Sequence, residues 1–390
     1  MKKGKGKVKP GIELFLEKRE YKSLKLGFIT NHSAITSNGK MSVKNLIEAD
    51  FNLKSLFGPE HGILGQAQDA IEIEDSEYLG IPVYSLYGKR KSPEPGILNK
   101  LDALAFDIQD VGSRYYTYLY TLANSMKVCE ELGIRLIVLD RPNPMPQSLI
   151  EGHPIEKAFD SFVGAYQLPN IYGLTIGEFA SYLKGEFYPD LDIDVIYMEN
   201  YVSDMSFEDT NLPWVSPSPN IPTPTTALVY GGLCLFEGTN LSEGRGTTRP
   251  FETIGAPWID GENLRDIMAS YELPGVVFSV SFFIPAFSKY KAQSCSGVTI
   301  HITDKKSFKP VKTGIYLLYT IAREYPSHFQ WRKRWDNDEL YFIDNLAGTD
   351  KLRKEIDSIS ESQVSPEVIY SNYQEGLEDY KRVSEKYQWY

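Results

Sequence analysis

Leu101-Asp-Ala-Leu-Ala-Phe-Asp-Ile-Gln-Asp-Val-Gly-Ser-Arg114 is an apolar run of strand length, Leu101 to Phe106, that stops abruptly in a polar, turn-rich cluster. The same arrangement recurs through the first third of the chain. Leu26-Gly-Phe-Ile29 leads into Thr30-Asn-His-Ser33, Leu53 to Phe57 into Gly58-Pro-Glu-His-Gly62, Val83 to Leu86 into Tyr87-Gly88, and Ile134 to Leu139 into Asp140-Arg-Pro-Asn-Pro144. Strand-like runs that alternate with polar clusters and helix-like stretches predict parallel βα units, hence an α/β fold. Open parallel sheets bind ligands outside the carboxyl ends of their strands, so the clusters after these runs are expected to converge on one rim.

Between the runs, Tyr116 to Glu131 reads as a helix closed by Gly133, and Ser42 to Glu48 as a shorter one. Thr175-Ile-Gly-Glu178 has the spacing of a capping box. The proline-rich Trp214-Val-Ser-Pro-Ser-Pro-Asn-Ile-Pro-Thr-Pro224 excludes a central strand or helix interior and predicts an ordered connector, with a domain boundary near Thr226. Beyond it, Ala227 to Phe236, Val276 to Ile284 and Val298 to Thr303 read as strands. Lys312 to Glu324 and Glu367 to Tyr387 read as helices, the second opened by Ser365-Pro366.

At 390 residues and 42% hydrophobic content the chain is long enough for two cores. A net charge of −11 argues against nucleic acid as the main partner, because phosphate backbones need a basic face. Cys129, Cys234 and Cys295 are odd in number and widely spaced, which gives no disulfide framework or zinc cluster and reads as buried small residues. The basic start has no apolar run behind it, and no segment is long and apolar enough to span a bilayer. As written the chain reads as cytoplasmic, and as periplasmic or secreted where a leader has been removed.

The chemistry-bearing residues sit in the clusters. Glu60 follows an apolar strand and a proline and is expected to project into the rim, where partial desolvation raises a carboxyl toward the protonated state a general acid needs. Asp107 and Asp110, followed by Arg114 and Tyr116, form a carboxylate pair beside a cation, equally readable as a brace between loops. Phe236-Glu-Gly-Thr-Asn-Leu-Ser-Glu-Gly-Arg-Gly-Thr-Thr-Arg-Pro250 reads as a ligand-contacting loop: Glu237 and Glu243 can exchange protons, Arg245 and Arg249 can fork onto a carboxylate, and the glycines allow close backbone approach. Of the five histidines only His32 and His61 lie at expected strand ends. No metal-ligand pattern, Gly-x-Ser-x-Gly elbow, phosphate loop or dinucleotide fingerprint is present, so no cofactor or metal is expected. Carboxylates with aromatics and arginines in a cleft are the equipment of glycoside hydrolysis, and an acidic sugar would explain the arginines.

Taken in order, Thr30-Asn-His-Ser33, Leu56-Phe-Gly-Pro-Glu-His-Gly62, Pro82-Val-Tyr-Ser-Leu-Tyr-Gly88, Phe106-Asp-Ile-Gln-Asp-Val-Gly112, Leu139-Asp-Arg-Pro-Asn-Pro144, Pro217-Ser-Pro-Asn-Ile-Pro222, Phe236 to Pro250, Gly255-Ala-Pro-Trp-Ile-Asp260 and Gly297-Val-Thr-Ile-His-Ile-Thr-Asp304 cover nearly the whole chain. They resemble the motifs of the exo-β-N-acetylmuramidase family of bacterial peptidoglycan-recycling enzymes, long carried as a domain of unknown function. The resemblance implies a Rossmann-like parallel-sheet domain over residues 1–226, a smaller α+β domain over 227–390, and an active-site cleft between them. It implies removal of terminal β-1,4-linked N-acetylmuramic acid from peptidoglycan fragments. The partner would be a peptidoglycan-derived sugar or muropeptide, with no nucleic acid and no membrane span.

Glu60 then falls on the family's glutamate as general acid. For the second catalytic group the motifs offer Glu243, Asp110 and Glu237, with Glu243 preferred and Asp110 next. Arg245, Arg249 and Arg114 are the expected forks for the lactyl carboxylate, and Asn31, His32, His61, Tyr116, Glu237 and Asn240 the further substrate contacts. Ile171-Tyr-Gly-Leu174 departs from the family's Arg-His-Gly-Met, and Met145-Pro-Gln147 from its Leu-Gly-Gly. Loss of the cation and imidazole motivates a second reading, a non-catalytic muropeptide-binding protein of the same fold.

Overall fold

The apolar runs become strands covered on both faces. In the computed structural model, which describes residues 6–65, 74–362 and 364–390, the start Met1–Lys5 lies outside the described part. Strands β1 (Leu26–Thr30), β2 (Leu53–Gly58), β3 (Ser76–Tyr78), β4 (Ile81–Ser85), β5 (Ala103–Asp107), β6 (Arg135–Leu139) and β7 (Ile193–Ile196) form one sheet ordered β3-β4-β2-β1-β5-β6-β7. Every pairing is parallel except that of β3 with β4. Alternate residues feed two cores. Ile29, Phe57, Leu104, Phe106 and Val138 pack on one face, and Phe28, Leu56, Ala105, Ile137 and Leu139 on the other. That double burial is why the strands read as unbroken apolar runs rather than as alternation. The two strands of this sheet absent from the sequence reading, β3 and β7, are its short, partly exposed edges.

From β1 the chain winds outward through β2 and β4, then returns to β5 and winds the other way through β6 and β7. The reversal lies between β1 and β5, where Thr30 pairs with Asp107, and the crevice beyond it is where such sheets take ligands. The clusters meet there as expected. The Gln109 backbone N–H donates to Ser33 Oγ at 3.3 Å, and the Gln109 side-chain amide to the Pro142 carbonyl at 2.7 Å. Asp107 is held by Arg141, whose Nη2 lies 2.9 Å from Oδ2, so the brace is made with Arg141 and not with Arg114.

A second, antiparallel sheet holds β8 (Thr253–Ala256), β9 (Val276–Phe283) and β10 (Cys295–Ile302) in the order β8-β10-β9. The expected strand over Ala227–Phe236 is overturned: Pro224–Leu233 is an α-helix continued by a tight turn over Cys234–Gly238. Thr223 caps it by accepting the Thr226 N–H at 3.0 Å, and Pro224 occupies its first position. The helix is buried all round, which erases the period that would have marked it. It crosses the helix Pro310–Glu324 so closely that a Cβ on Gly232 would sit 1.9 Å from the Pro310 carbonyl. The expected long carboxy-terminal helix is two, Pro366–Asn372 and Leu377–Ser384, parted by Gly376 at φ 81°. Among the described residues, no helix is long and apolar enough to cross a membrane. All three cysteines are free and buried.

One apolar cluster runs from Leu104 and Phe106 of the first sheet to Val298 of the second and Ile315 of the crossing helix. Two polar ties reinforce it. Arg114 is fully buried and donates from Nη1 to the carbonyls of His153 and Leu168, at 2.7 and 2.8 Å, and from Nη2 to that of Leu346 at 2.5 Å. At the far end of the chain, Tyr390 donates its hydroxyl to Asp140 at 2.7 Å and accepts the Met198 N–H at 2.6 Å, while Trp389 stacks on Tyr197 at 4.4 Å. An ammonium is a point charge and cannot span the three carbonyls that a guanidinium fork reaches. Arg114→Lys should therefore lower the unfolding free energy by about 3 kcal/mol, read from the urea midpoint; an unchanged midpoint would show that the tie is dispensable.

Candidate active site

Beyond β2 the chain turns sharply: His61 and Gly62 both take left-handed backbone, at φ 69° and 76°, and the Gly62 N–H closes on the Pro59 carbonyl at 2.9 Å. The turn buries Glu60 to 9% exposure against the start of the helix Tyr118–Leu132. Thr117, the residue before that helix, donates its hydroxyl to Glu60 Oε2 at 2.7 Å. A carboxylate at a helix amino terminus also meets the positive end of the helix dipole. Behind it, Asn31 donates to the Tyr118 hydroxyl at 2.9 Å, and Tyr118 donates to the Pro217 carbonyl at 2.6 Å, pinning the helix to the connector.

Glu237 comes from the turn that ends the helix Pro224–Leu233. Its Oε1 lies 2.6 Å from Arg245 Nη2, and the same guanidinium reaches Glu243 Oε1 from Nε at 3.3 Å. Lys289 Nζ lies 2.9 Å from the other oxygen of Glu243. Burial pushes the Glu237 carboxyl above its ordinary range and Arg245 pulls it back. The loop glycines make close approaches, to this chain's own backbone: a Cβ on Gly244 would meet the Arg249 carbonyl at 2.6 Å, and one on Gly246 the Phe287 carbonyl at 2.6 Å.

The two acids open into one cavity of about 280 Å³, lined by Glu60, His61, Tyr87, Tyr115, Tyr116, Thr117, Phe162, Val163, Ser218, Asn220, Ile221, Tyr230, Glu237, Arg245, Phe251 and Phe342. Aromatic rings form much of its wall, stacked edge to face, as in the pairs of Tyr116 with Tyr230 at 6.2 Å and Tyr230 with Phe251 at 4.7 Å. The Arg245 guanidinium lies over the Phe251 ring, 5.0 Å from its centre. The volume sits at the low end of the roughly 300–1,000 Å³ span of ligand clefts, room for one substituted sugar and not a chain.

Of the residues expected from sequence, the cavity gathers Glu60, His61, Tyr116, Glu237 and Arg245. It does not gather the others. Asn31 is spent on Tyr118 and Ser33, and His32 on the Ser216 carbonyl at 2.7 Å, its imidazole pushed down by burial. Asn240 clips the chain at His328 and Gln330. Arg249 is half exposed beside Glu252. Arg114 is turned inward onto carbonyls, which removes it from the carboxylate forks, and Glu243 is enclosed by two cations behind the wall. Sequence reading missed Thr117, Asn220, Phe251 and Lys289; the first three stand in or beside quoted motifs, whereas nothing in the spacing around Lys289 marks it.

Comparison with known proteins gives concordant matches. A family model described as exo-beta-N-acetylmuramidase NamZ, N-terminal, matches residues 26–225, and its C-terminal counterpart matches 228–390. The peptidoglycan beta-N-acetylmuramidase NamZ of Bacillus subtilis (strain 168) is 44% identical over 388 residues, 98% of this chain and 91% of the relative. A crystal structure of a DUF1343 family protein from Bacteroides fragilis superposes with a TM-score of 0.88 at 32% identity, covering 98% of this chain and 99% of that one. A second from the same organism gives 0.76 at 29%, covering 99% of each.

Asp110 and the departing segment 171–174 belong together. Tyr172, fully buried, donates its hydroxyl to Asp110 Oδ2, which also accepts the Gly112 N–H at 2.7 Å. Neither residue lines the cavity, so Asp110 is not brought to the second catalytic position and the departure does not alter the cavity wall. Burial pushes the Asp110 carboxyl up to about 6. A carboxyl raised in the folded state holds a proton that the unfolded chain has released, so the native protein loses stability as pH climbs from the unfolded value to about 6. Asparagine does not titrate. Relative to wild type, Asp110→Asn should gain up to about 3 kcal/mol between pH 4 and 7, measured by urea unfolding at several pH values; a constant difference would sink the assignment.

Proposed function

This chain belongs to the exo-β-N-acetylmuramidase family, and from that membership and the cavity we infer that it hydrolyses the β-linked N-acetylmuramic acid at the non-reducing end of peptidoglycan fragments. The observation that carries the reading is the placing of two carboxyls, Glu60 and Glu237, with one guanidinium, Arg245, in a single aromatic-walled cavity sized for one sugar.

Hydrolysis needs one group to protonate the departing glycosidic oxygen and another to meet the positive charge that grows at the anomeric carbon. Glu60, positioned by the Thr117 hydroxyl, is assigned the proton donor. Glu237 is assigned the second role in place of Glu243 and Asp110, because it alone of the three reaches the cavity. Its pairing with Arg245 favours the ionised form that such a role requires. Arg245 is also the guanidinium on the cavity wall, and supports recognition of the lactyl carboxylate that separates muramic acid from glucosamine. Rings such as Tyr116 and Tyr230 offer flat faces to the sugar. The binding-only reading drew on segment 171–174, and the burial of Ile171 and Tyr172 leaves it without a supporting observation.

A chromogenic β-N-acetylmuramide should be cleaved and the matching β-N-acetylglucosaminide left intact. Glu60→Gln and Glu237→Gln should each lower kcat by about 10²–10⁴-fold while the protein stays folded. Equal hydrolysis of both sugars would remove the role given to Arg245, and a Glu60→Gln enzyme with wild-type kcat would sink the catalytic pair.

A further inference from the structure

We propose that Lys289 is a positioning residue for Glu237, acting by holding Glu243 so that Arg245 stays committed to the carboxylate in the cavity; the inference rests on the role given to Glu237 above. Four charges form a line that ends at the cavity: Lys289, Glu243, Arg245 and Glu237, with successive contacts of 2.9, 3.3 and 2.6 Å. Their side chains are 16, 3, 14 and 19% exposed, so each ion depends on its neighbours and not on water for compensation. Two cations and two anions balance, and Arg332, whose guanidinium donates to the Glu237 carbonyl at 3.1 Å, is a further cation facing them. Only Arg245 and Glu237 reach the cavity.

Lys289 does more than neutralise. Its ammonium also donates to the carbonyls of Phe236 at 2.9 Å and Leu241 at 2.8 Å, fixing the peptide just before Glu237 and a second one between Glu237 and Glu243. The segment that delivers it is built for the purpose: Ser288, Tyr290 and Ala292 all take left-handed backbone, at φ 69°, 56° and 60°. Non-glycine residues adopt that conformation only where surrounding contacts over-determine it. Here the Ala286 N–H bonds the Gly246 carbonyl at 2.9 Å and the Ala292 N–H the Pro285 carbonyl at 2.8 Å, docking the segment onto the loop that carries Arg245.

Without the lysine, Glu243 has Arg245 as its sole counter-ion in this line and competes with Glu237 for it. Glu237 then loses part of the charge that keeps it ionised, and the acidic limb of the pH–rate profile moves to higher pH. Lys289→Met should displace that limb upward by about one pH unit, which makes kcat about tenfold lower at a given pH on the limb and leaves KM nearly unchanged. Glu243→Gln alone should displace it downward. The double variant Lys289→Met with Glu243→Gln removes both members of the inner pair and should return the limb close to wild type, which a purely structural lysine would not do.

A folded Lys289→Met enzyme with the wild-type limb overturns the proposal. If that single variant does not fold, a double variant whose limb stays displaced overturns it. Titration of the Glu237 side-chain carboxyl by ¹³C NMR reads the same displacements in the resting protein. Absence of muramide cleavage by the wild type would therefore sink the proposed function, while the titration still decides the role of Lys289.

Discussion

The interior guanidinium of Arg114 is the constraint on which the arrangement of the molecule turns. A charge buried this completely is tolerable only if its donors find acceptors, and both terminal nitrogens of the guanidinium do. The acceptors come from His153 and Leu168 on one side and Leu346 on the other, segments nearly 200 residues apart in sequence. Because Arg114 itself follows β5, the tie fixes the carboxy-terminal half against the rim of the first sheet. Glu60 stands on that rim, and the loop bearing Glu237 and Arg245 stands on the other half. Their meeting in one cavity is a consequence of that fixed relation together with the shared apolar cluster.

The cavity divides its labour by the origin of its parts. The first sheet supplies a carboxyl steadied by a neutral hydroxyl at a helix start. The second half supplies a carboxyl steadied by a line of ions. The two acids are thus held by different partners, one by a neutral hydroxyl and the other by a guanidinium. The aromatic wall adds surface for a sugar face and keeps the local dielectric low, so each of these charges is felt more strongly than it would be in water.

Much of this was legible in the chain. The central strands announce themselves because burial on both faces leaves no polar position in them, and the turn clusters follow directly. The edge strands β3 and β7 carry no such mark. The helix Pro224–Leu233 looks like a strand because burial on all sides removes its period; only Thr223-Pro224, a cap followed by a first-turn proline, distinguishes it. Within the site, Glu60, Glu237 and Arg245 sit in motifs dense enough to be noticed. A sequence presents Arg114 as a charge after a strand and says nothing of the direction in which it turns. Lys289 is silent in sequence altogether, since its neighbours Glu243, Phe236 and Leu241 are brought to it only by the docking of distant loops.

The side chain of Tyr390 has a bearing on the order in which the molecule is completed. Asp140, at the end of β6, is enclosed, and its acceptors are filled by Arg141, Thr175, Gly177 and finally Tyr390. On a ribosome the first three emerge within a few dozen residues of the aspartate, whereas the fourth arrives 250 residues later. A nascent chain can therefore assemble the central sheet early, yet keeps one of its deepest carboxylates incompletely satisfied until Tyr390 has emerged. Until Tyr390 docks, this carboxylate has one hydrogen bond fewer than in the finished fold, and the partly made molecule is exposed to misassembly over that interval.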